Sequence, residues 1–457
     1  MADGTAVAPG RRTRRGLAGL LGANLVSTLG TRMSMLALPW FVLVSTGSAA
    51  QTGLIVFAEM APYVLVQAMG GPIVDRLGNR RMSIVADLVA AVTLGLVPVL
   101  HAMDALSLPI LAVLVAITGA TRGAGDTARH VLVPGLAAEA RMPLERASGW
   151  YDGVNRAATM VGAPLAGVLV AVTSAPVVVA IDAATFAASA LLVGFLIPRR
   201  AVAPSPGPLA QLPDGASEGA VESSGEGASY LVSLREGFAH LAADRLLVGI
   251  AAMILVTNLL DQAFFAVLAP VWANELTGSP VVLGLMGAAM GVGALVGNGG
   301  AAWLGPRLPR RLTYATGFLV AGGPRFFVLA LASSVSPVLA ISFVAGVGAG
   351  GINPILGAVE FERVPPRLQA RVLGALGATA WAGIPFGGLV GGALVDQLGL
   401  QGALAAAGVV YLLTTLAPFV FPVWREMDRR PAAPSTGETD PAVASPGTAA
   451  SEPGAAA

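Results

Sequence analysis

Apolar residues run along this chain in blocks of roughly the length that crosses a bilayer, separated by short polar connections. A hydrocarbon core of about 30 Å takes about 20 apolar residues of helix. Segments of that size lie at 17–44, 53–73, 82–101, 106–122, 150–172, 175–197, 246–272, 281–303, 312–332, 337–358, 372–395 and 402–423. The pattern predicts an all-α membrane protein with twelve transmembrane helices, the fourth being the shortest. The first apolar run follows Arg11, Arg12, Arg14 and Arg15 and continues from Leu17 to about Val44. That is too long for the core of a cleaved secretory signal, so it reads as a membrane helix with a basic flank.

The arginines test the count. With the N-terminus assigned to the cytoplasm, each inside segment holds three or four of them, 24 in all, and the six outside loops hold none. Arg32, Arg156 and Arg325 lie within helices. A wrong number of spans would scramble this alternation under the positive-inside rule, so a bacterial cytoplasmic (inner) membrane with both termini inside is expected.

The polar stretches divide the chain. Residues 1–16 form a basic cytoplasmic N-terminus, 17–198 a first six-helix bundle, 199–245 a cytoplasmic linker, 246–424 a second bundle and 425–457 a disordered cytoplasmic tail. The linker opens with a low-complexity segment too polar to bury a core. It closes with an amphipathic stretch from Tyr230 to Leu246, with Leu231, Leu234, Phe238 and Leu241 at helical spacing. The halves echo each other. Gly71–Arg81 follows the second span and Gly300–Arg311 the eighth, an offset of 229 residues that also maps Thr28 onto Thr257 and Arg32 onto Asp261. Duplicated six-helix halves of this kind enclose a mid-membrane binding site in transporters.

Composition narrows the function. Apolar residues make up 55% and charged residues only 12%, about half of what a soluble domain of this length needs. There is no Cys, which excludes thiolate metal sites and cysteine nucleophiles. Basic and acidic residues balance at 27 and 26, every basic one being Arg, so nothing suggests a nucleic-acid partner. No metal cluster, nucleotide-binding loop or nucleophile triad emerges, so the sequence points away from an enzyme and calls for neither cofactor nor metal.

The loop after the second span reads Gly71-Pro-Ile-Val-Asp75-Arg76-Leu-Gly78-Asn79-Arg80-Arg81. It resembles the Gly-x-x-x-Asp-Arg-x-Gly-Arg-Arg signature of the major facilitator superfamily. The wider pattern resembles that superfamily's drug:proton antiporter branch, the macrolide, tetracycline and multidrug exporters of Gram-positive bacteria and mycobacteria. It is carried by Gly30-Thr-Arg32-Met33 through Leu38-Pro39, by Thr127-Ala-Arg129 through Leu132-Val-Pro134, by Gly162-Ala-Pro164-Leu-Ala-Gly167 and by Asp182-Ala-Ala-Thr-Phe186. The resemblance implies a fold of two pseudo-symmetric six-helix bundles. It also implies a cytoplasmic gate at Gly71, Asp75, Arg76, Gly78, Arg80 and Arg81, with Asp75 set against the positive end of a helix such as the eleventh span near Arg371. Gly162, Pro164 and Gly167 stand as a helix-packing motif. The sequence departs from the pattern where Asn79 replaces an Arg, where the loop at 305–311 lacks the Asp, and where the fourth span, ending at 122, has no mid-helix Arg.

A charge at mid-bilayer costs about 3 kcal/mol or more, so each marks a candidate site. Glu59, Asp261 and Asp182 are the proton-coupling candidates. Glu59 reads as a lone carboxylate or as a permanent partner of Arg32, and Asp182 reads mainly as structural. Polar stripes on the first span (Asn24, Thr28, Arg32) and the seventh (Thr257, Asn258, Asp261, Gln262) are the candidate cavity lining. The repeat suggests that Arg32 and Asp261 pair. Asp152 and Arg156 are expected to form a local pair, while Asp126, Arg129 and Arg146 read as a cytoplasmic charged loop. Trp40, Phe57, Tyr63, Phe264, Phe265, Trp381 and Phe386 are available for stacking on a planar cargo, and His101, His130 and His240 have no assigned role. Together these features suggest a monomeric exporter of a hydrophobic or amphipathic small molecule, acting in the lipid bilayer by proton exchange. A siderophore, peptide or endogenous metabolite is the alternative cargo, and a lipid-handling or scaffold protein the alternative class.

Overall fold

The computed structural model describes residues 11–69, 77–198, 226–304, 307–365 and 368–429, and every regular element among them is helical. This is the outcome demanded of a chain so apolar. In hydrocarbon each backbone N–H and C=O must be bonded within the protein, and a helix achieves this inside its own segment. The first half consists of α1 (Arg11–Thr46), α2 (Ala49–Met69), α3 (Asn79–Ala102), α4 (Leu108–Glu139), α5 (Leu144–Val172) and α6 (Ala175–Leu196). A linker helix, α7 (Glu226–Ala243), precedes the second half. There the seventh span runs as α8 (Arg245–Ala263), a π-helical turn Phe264–Leu268 and α9 (Ala269–Thr277). Then come α10 (Val281–Leu304), α11 (Arg310–Ala321), α12 (Gly323–Leu331), α13 (Val335–Gly350), α14 (Ile352–Arg363), α15 (Gln369–Trp381) and α16 (Ile384–Val420).

Eleven described segments are long and apolar enough to cross a membrane. The last, Arg371–Val420, is 50 residues long. At about 1.5 Å per residue it would be more than twice as long as the bilayer core is thick if it were straight. It is not straight: Gly399 takes φ 68° and ψ 171°, which breaks the helix and folds it into two passes. The twelve expected spans and the eleven segments are therefore the same architecture. The outward faces carry large apolar side chains such as Phe195 (84% exposed) and Leu331 (86% exposed), as a surface bathed in lipid requires.

Two boundaries differ from expectation, and both matter. The fourth span does not stop at 122 but continues to Glu139, and the fifth begins at Leu144, not 150. The charges between 122 and 141 suggested a loop, yet the helix carries Arg122 and Arg129 inward onto carboxylates of its neighbours. Near the linker, the amphipathic helix ends at Ala243, short of Leu246. The Asp244 carboxylate accepts from the N–H groups of Leu246 (2.9 Å) and Leu247 (3.2 Å) and starts a new helix there. Past Trp424, a 3-10 turn over Pro422–Asp428 still belongs to the fold. Trp424 stacks on Tyr314 at 6.0 Å, and Glu426 together with Asp244 holds Arg363.

Candidate functional site

A cavity of about 680 Å³ lies between the halves. Its first-half wall comes from α1 (Asn24, Ser27, Thr28, Thr31, Arg32, Met35), α2 (Met60, Tyr63, Val64, Gln67), α4 (Arg122, Asp126, Thr127, Arg129, His130, Val131) and α5 (Tyr151, Asn155). The second half contributes Gln262, Trp381 and Ile384. Met35, Met60 and Gln262 mark its deep end. From there it extends along α4 toward the end of the bundle where the sequence clusters its arginines.

The opposite, arginine-free end is shut by two glycine seams. On one, Gly53 of α2 lies against the Gly388 carbonyl of α16, and Gly392 against the backbone of Ala49 and Ala50. Phe57 meets Phe386 across the same seam at 5.5 Å. On the other, Gly284 of α10 fits against Ala163 and Pro164 of α5, and Gly167 against Pro280 and Gly284. A Cβ at these positions would collide with backbone, so only glycine permits this approach. Pro164 and Gly167 therefore act between the halves. Gly162 does something else: it lies against Cβ and Cγ of Arg32 and leaves room for that side chain.

The first-half wall carries a connected set of charges. Glu59 and Arg122 form a buried ion pair at 2.5 Å. Gly119 and Gly123 of α4 lie against the carbonyls of Glu59 and Tyr63, which brings the two parallel helices into contact. Residues 59 and 63 then face 122 and 126. The Arg122 guanidinium sits over the Tyr63 ring, 5.0 Å from its centroid, and the Tyr63 hydroxyl donates to Asp126 at 3.3 Å. Asp126 in turn binds Arg129 at 2.6 Å, and Arg129 reaches Asp87 of α3 at 2.7 Å. Ser189 of α6 donates to the other Asp87 oxygen at 2.7 Å. Arg129 and Asp87 are each about 2% exposed, so pairing is what makes their burial tolerable.

Several expectations need correcting. The fourth span does contain a mid-helix arginine, Arg122, and it takes Glu59 as its partner, so Glu59 is neither lone nor bound to Arg32. Arg32 and Asp261 do not pair in this structure. Asp261 is bound by Arg325, whose guanidinium lies over Phe264 (4.6 Å), Phe265 (5.0 Å), Phe326 (5.4 Å) and Tyr411 (5.8 Å). The repeat pointed to Arg32, whereas the cation that reaches Asp261 is Arg325 on α12. Asp152 and Arg156 are both exposed and form no ion pair among the described residues. Asp126 and Arg129 are part of a buried helix and not of a loop.

The other candidates are placed as follows. Asn24 and Thr28 line the cavity and donate to Asn155 of α5 at 2.8 and 3.4 Å. Of the seventh-span stripe only Gln262 lines it. Thr257 donates to its own helix at Ile254 (3.1 Å), and Asn258 donates to the Ala380 carbonyl (2.9 Å). Asp182 is buried against Gly30 of α1 and accepts from Thr185 at 3.1 Å, away from the cavity. Gly71, Asp75 and Arg76 lie outside the described residues. Gly78 takes φ 79° at the start of α3, and Arg80 donates to the carbonyls of Ile197 (2.8 Å) and Gly194 (2.6 Å). Arg371, expected near Asp75, binds Glu236 of α7. Asp87, Asn155 and Ser189 were missed outright, since single polar residues in apolar helices leave little periodic signal. Arg122 and Asp126 had a usable one, a four-residue step matching that of Glu59 and Tyr63.

A family model described as Major Facilitator Superfamily matches this chain twice, over residues 20–260 and 251–453. The chain belongs to the major facilitator superfamily. It is thus a membrane transporter and not an enzyme. The multidrug efflux pump Tap of Mycobacterium tuberculosis is 32% identical over 428 residues, covering 93% of this chain and 97% of the relative. The Tap pump of Mycolicibacterium fortuitum is 29% identical over 420 residues, covering 91% and 98%. Among solved structures, a nucleoside transporter NupG mutant superposes with a TM-score of 0.67 at 15% identity, covering 88% of this chain and 99% of that one. A bacterial homologue of the human lysosomal transporter Spinster, inward-facing and unoccupied, superposes at 0.66 and 14%, covering 93% and 99%. These likenesses give the twelve-helix fold of two bundles.

Proposed function

We propose that this chain exports a hydrophobic or amphipathic small molecule, of the drug kind, in exchange for protons by alternating access. It works as a monomer in a bacterial cytoplasmic membrane with both termini inside. The observation that carries this reading is the cavity between the halves, sealed by glycine seams at one end and extending toward the arginine-rich end. With the arginines on the cytoplasmic side, this is an inward-facing state ready to load cargo from inside. The Tap relatives, named as multidrug efflux pumps, support the cargo class. Glu59 is the leading proton carrier. It is a buried carboxylate at the cavity wall whose protonation discharges its bond to Arg122 and frees that side chain to move.

The direct test is drug accumulation in cells expressing the chain, with and without an uncoupler. Lower accumulation than in vector controls, restored by the uncoupler, is the expected result. Accumulation equal to the control across a broad drug panel would overturn the reading.

The seams give a second expectation. Gly388→Leu places a side chain against Gly53 and Val56 and wedges the arginine-free end open. The chain has no native Cys, so a single cysteine in place of Met35 reports this cleanly. Labelling of that cysteine by an impermeant maleimide from outside should rise in the Leu variant. Unchanged labelling would mean that the seam does not hold the closed end.

A further inference from the structure

One cation in the cavity, Arg32, forms no direct ion pair with the protein among the described residues. Arg122 is held by Glu59, and Arg129 is shared between Asp87 and Asp126. Arg32 has no carboxylate within ion-pair distance among the described residues. Its Nη1 finds only the Met35 thioether at 3.7 Å, and its Nε has no partner. A thioether is a weak acceptor, while a guanidinium presents five donors in a rigid fork. The acids around it are already committed. Glu59 on α2 is held by Arg122, Asp126 on α4 by Arg129 and Tyr63, and Asp182 on α6 accepts from Thr185.

The position is built for this side chain. Gly162 of α5 makes room for its stem, and Met35 and Met60 stand at the same depth. Trp381 and Gln262 come from the facing half. A half-buried guanidinium with open donors attracts an oxygen anion and repels a second cation.

We infer that the cargo is an anionic aromatic amphiphile whose acidic group docks on Arg32 while its rings lie against Trp381 and the methionines. This deepens the transport reading and rests on the cavity being the cargo site. The acidic group satisfies the donors that the protein leaves open. The apolar body takes the rest of the cavity, where weakly directional contacts with Met and Trp tolerate many ring shapes.

The experiment uses the full chain in lipid nanodiscs, with binding to empty discs subtracted. Two probes share the same rings, 8-anilinonaphthalene-1-sulfonate and the uncharged N-phenyl-1-naphthylamine, and ethidium serves as a planar cation. The wild type should bind the sulfonate more tightly than either of the others. Arg32→Gln should weaken the sulfonate about tenfold or more, as loss of a charge-assisted contact does, and change the uncharged probe by less than about twofold. Arg32→Lys keeps the charge and should keep a preference for the sulfonate, which guards against a Gln variant that does not fold. Equal loss of both naphthyl probes in the Gln variant, or a wild type that favours ethidium or the uncharged probe, overturns the inference. So does a Lys variant with no preference. Absence of uncoupler-sensitive efflux beside an intact sulfonate preference would count against the transport reading alone. Efflux of neutral or cationic drugs without that preference would count against this inference alone.

Discussion

Glu59→Gln is expected to reduce uncoupler-sensitive efflux to the background of vector controls while the protein remains inserted and abundant. The amide keeps the shape of the carboxylate and can still accept from Arg122, so the packing of α2 on α4 survives. What disappears is the carboxylate proposed as the proton carrier. Removing one partner of a buried ion pair usually costs about 3–5 kcal/mol, because it leaves an uncompensated charge. Here the cost is softened, since Asp126 and Asp182 also act electrostatically on Arg122. The measurement is drug uptake into everted vesicles, with a fluorescent pH probe reporting proton release. Adding Arg122→Gln should restore any lost stability without restoring transport, because neither charge then stands alone. Wild-type-like proton-coupled uptake by Glu59→Gln would remove Glu59 from the proton path.

Asp87→Ala should have the largest effect on stability. Asp87 and Arg129 are each about 2% exposed, and Ser189 completes the carboxylate's bonding. Truncation leaves Arg129 with Asp126 alone, a partner whose side chain is 35% exposed, and strands the Ser189 hydroxyl in the core. The expected cost is again about 3–5 kcal/mol: the bond to Asp126 that Arg129 keeps offsets part of the lost pairing, while the truncated volume and the stranded hydroxyl add to the cost. Thermal unfolding in detergent should show a clearly lowered midpoint and a lower yield. The double variant Asp87→Leu with Arg129→Met should recover most of the loss, since well-packed apolar residues often replace a buried pair without penalty. A double variant no better than Asp87→Ala would mean that the network fixes helix geometry and does more than neutralise charge.

The fold was almost fully legible because two independent signals agreed. Apolar block length set the number of spans, and the arginine alternation agreed with that number. The site was legible only in part. The stripe of Asn24, Thr28 and Arg32 does line the cavity, because a polar face on an otherwise apolar helix has only a protein interior or a wet cleft to turn toward. The partners were not legible. The rule that placed arginines at membrane ends also cut the fourth span at Arg122, hiding the residue that neutralises Glu59. The 229-residue offset matched Arg32 with Asp261 along the sequence, but an offset between repeats does not fix which side chains face each other, and Arg325 on α12 lay closer. Pairing between helices is a property of the assembled bundle, and one chain read in order shows it only where the spacing on two helices matches.

The glycine seams bear on how such a protein changes over generations. Gly53, Gly388, Gly392, Gly167 and Gly284 join the halves backbone to backbone, and no ion pair among the described residues crosses there. None of them lines the cavity. Every glycine codon is a single base change from an alanine and a valine codon, and each such change would push the halves slightly apart. A lineage exposed to a toxic compound can therefore retune how long its pump waits in each state without altering what the pump recognises. Shifts in the dose a strain tolerates and shifts in the range of compounds it tolerates would then trace to different parts of the chain.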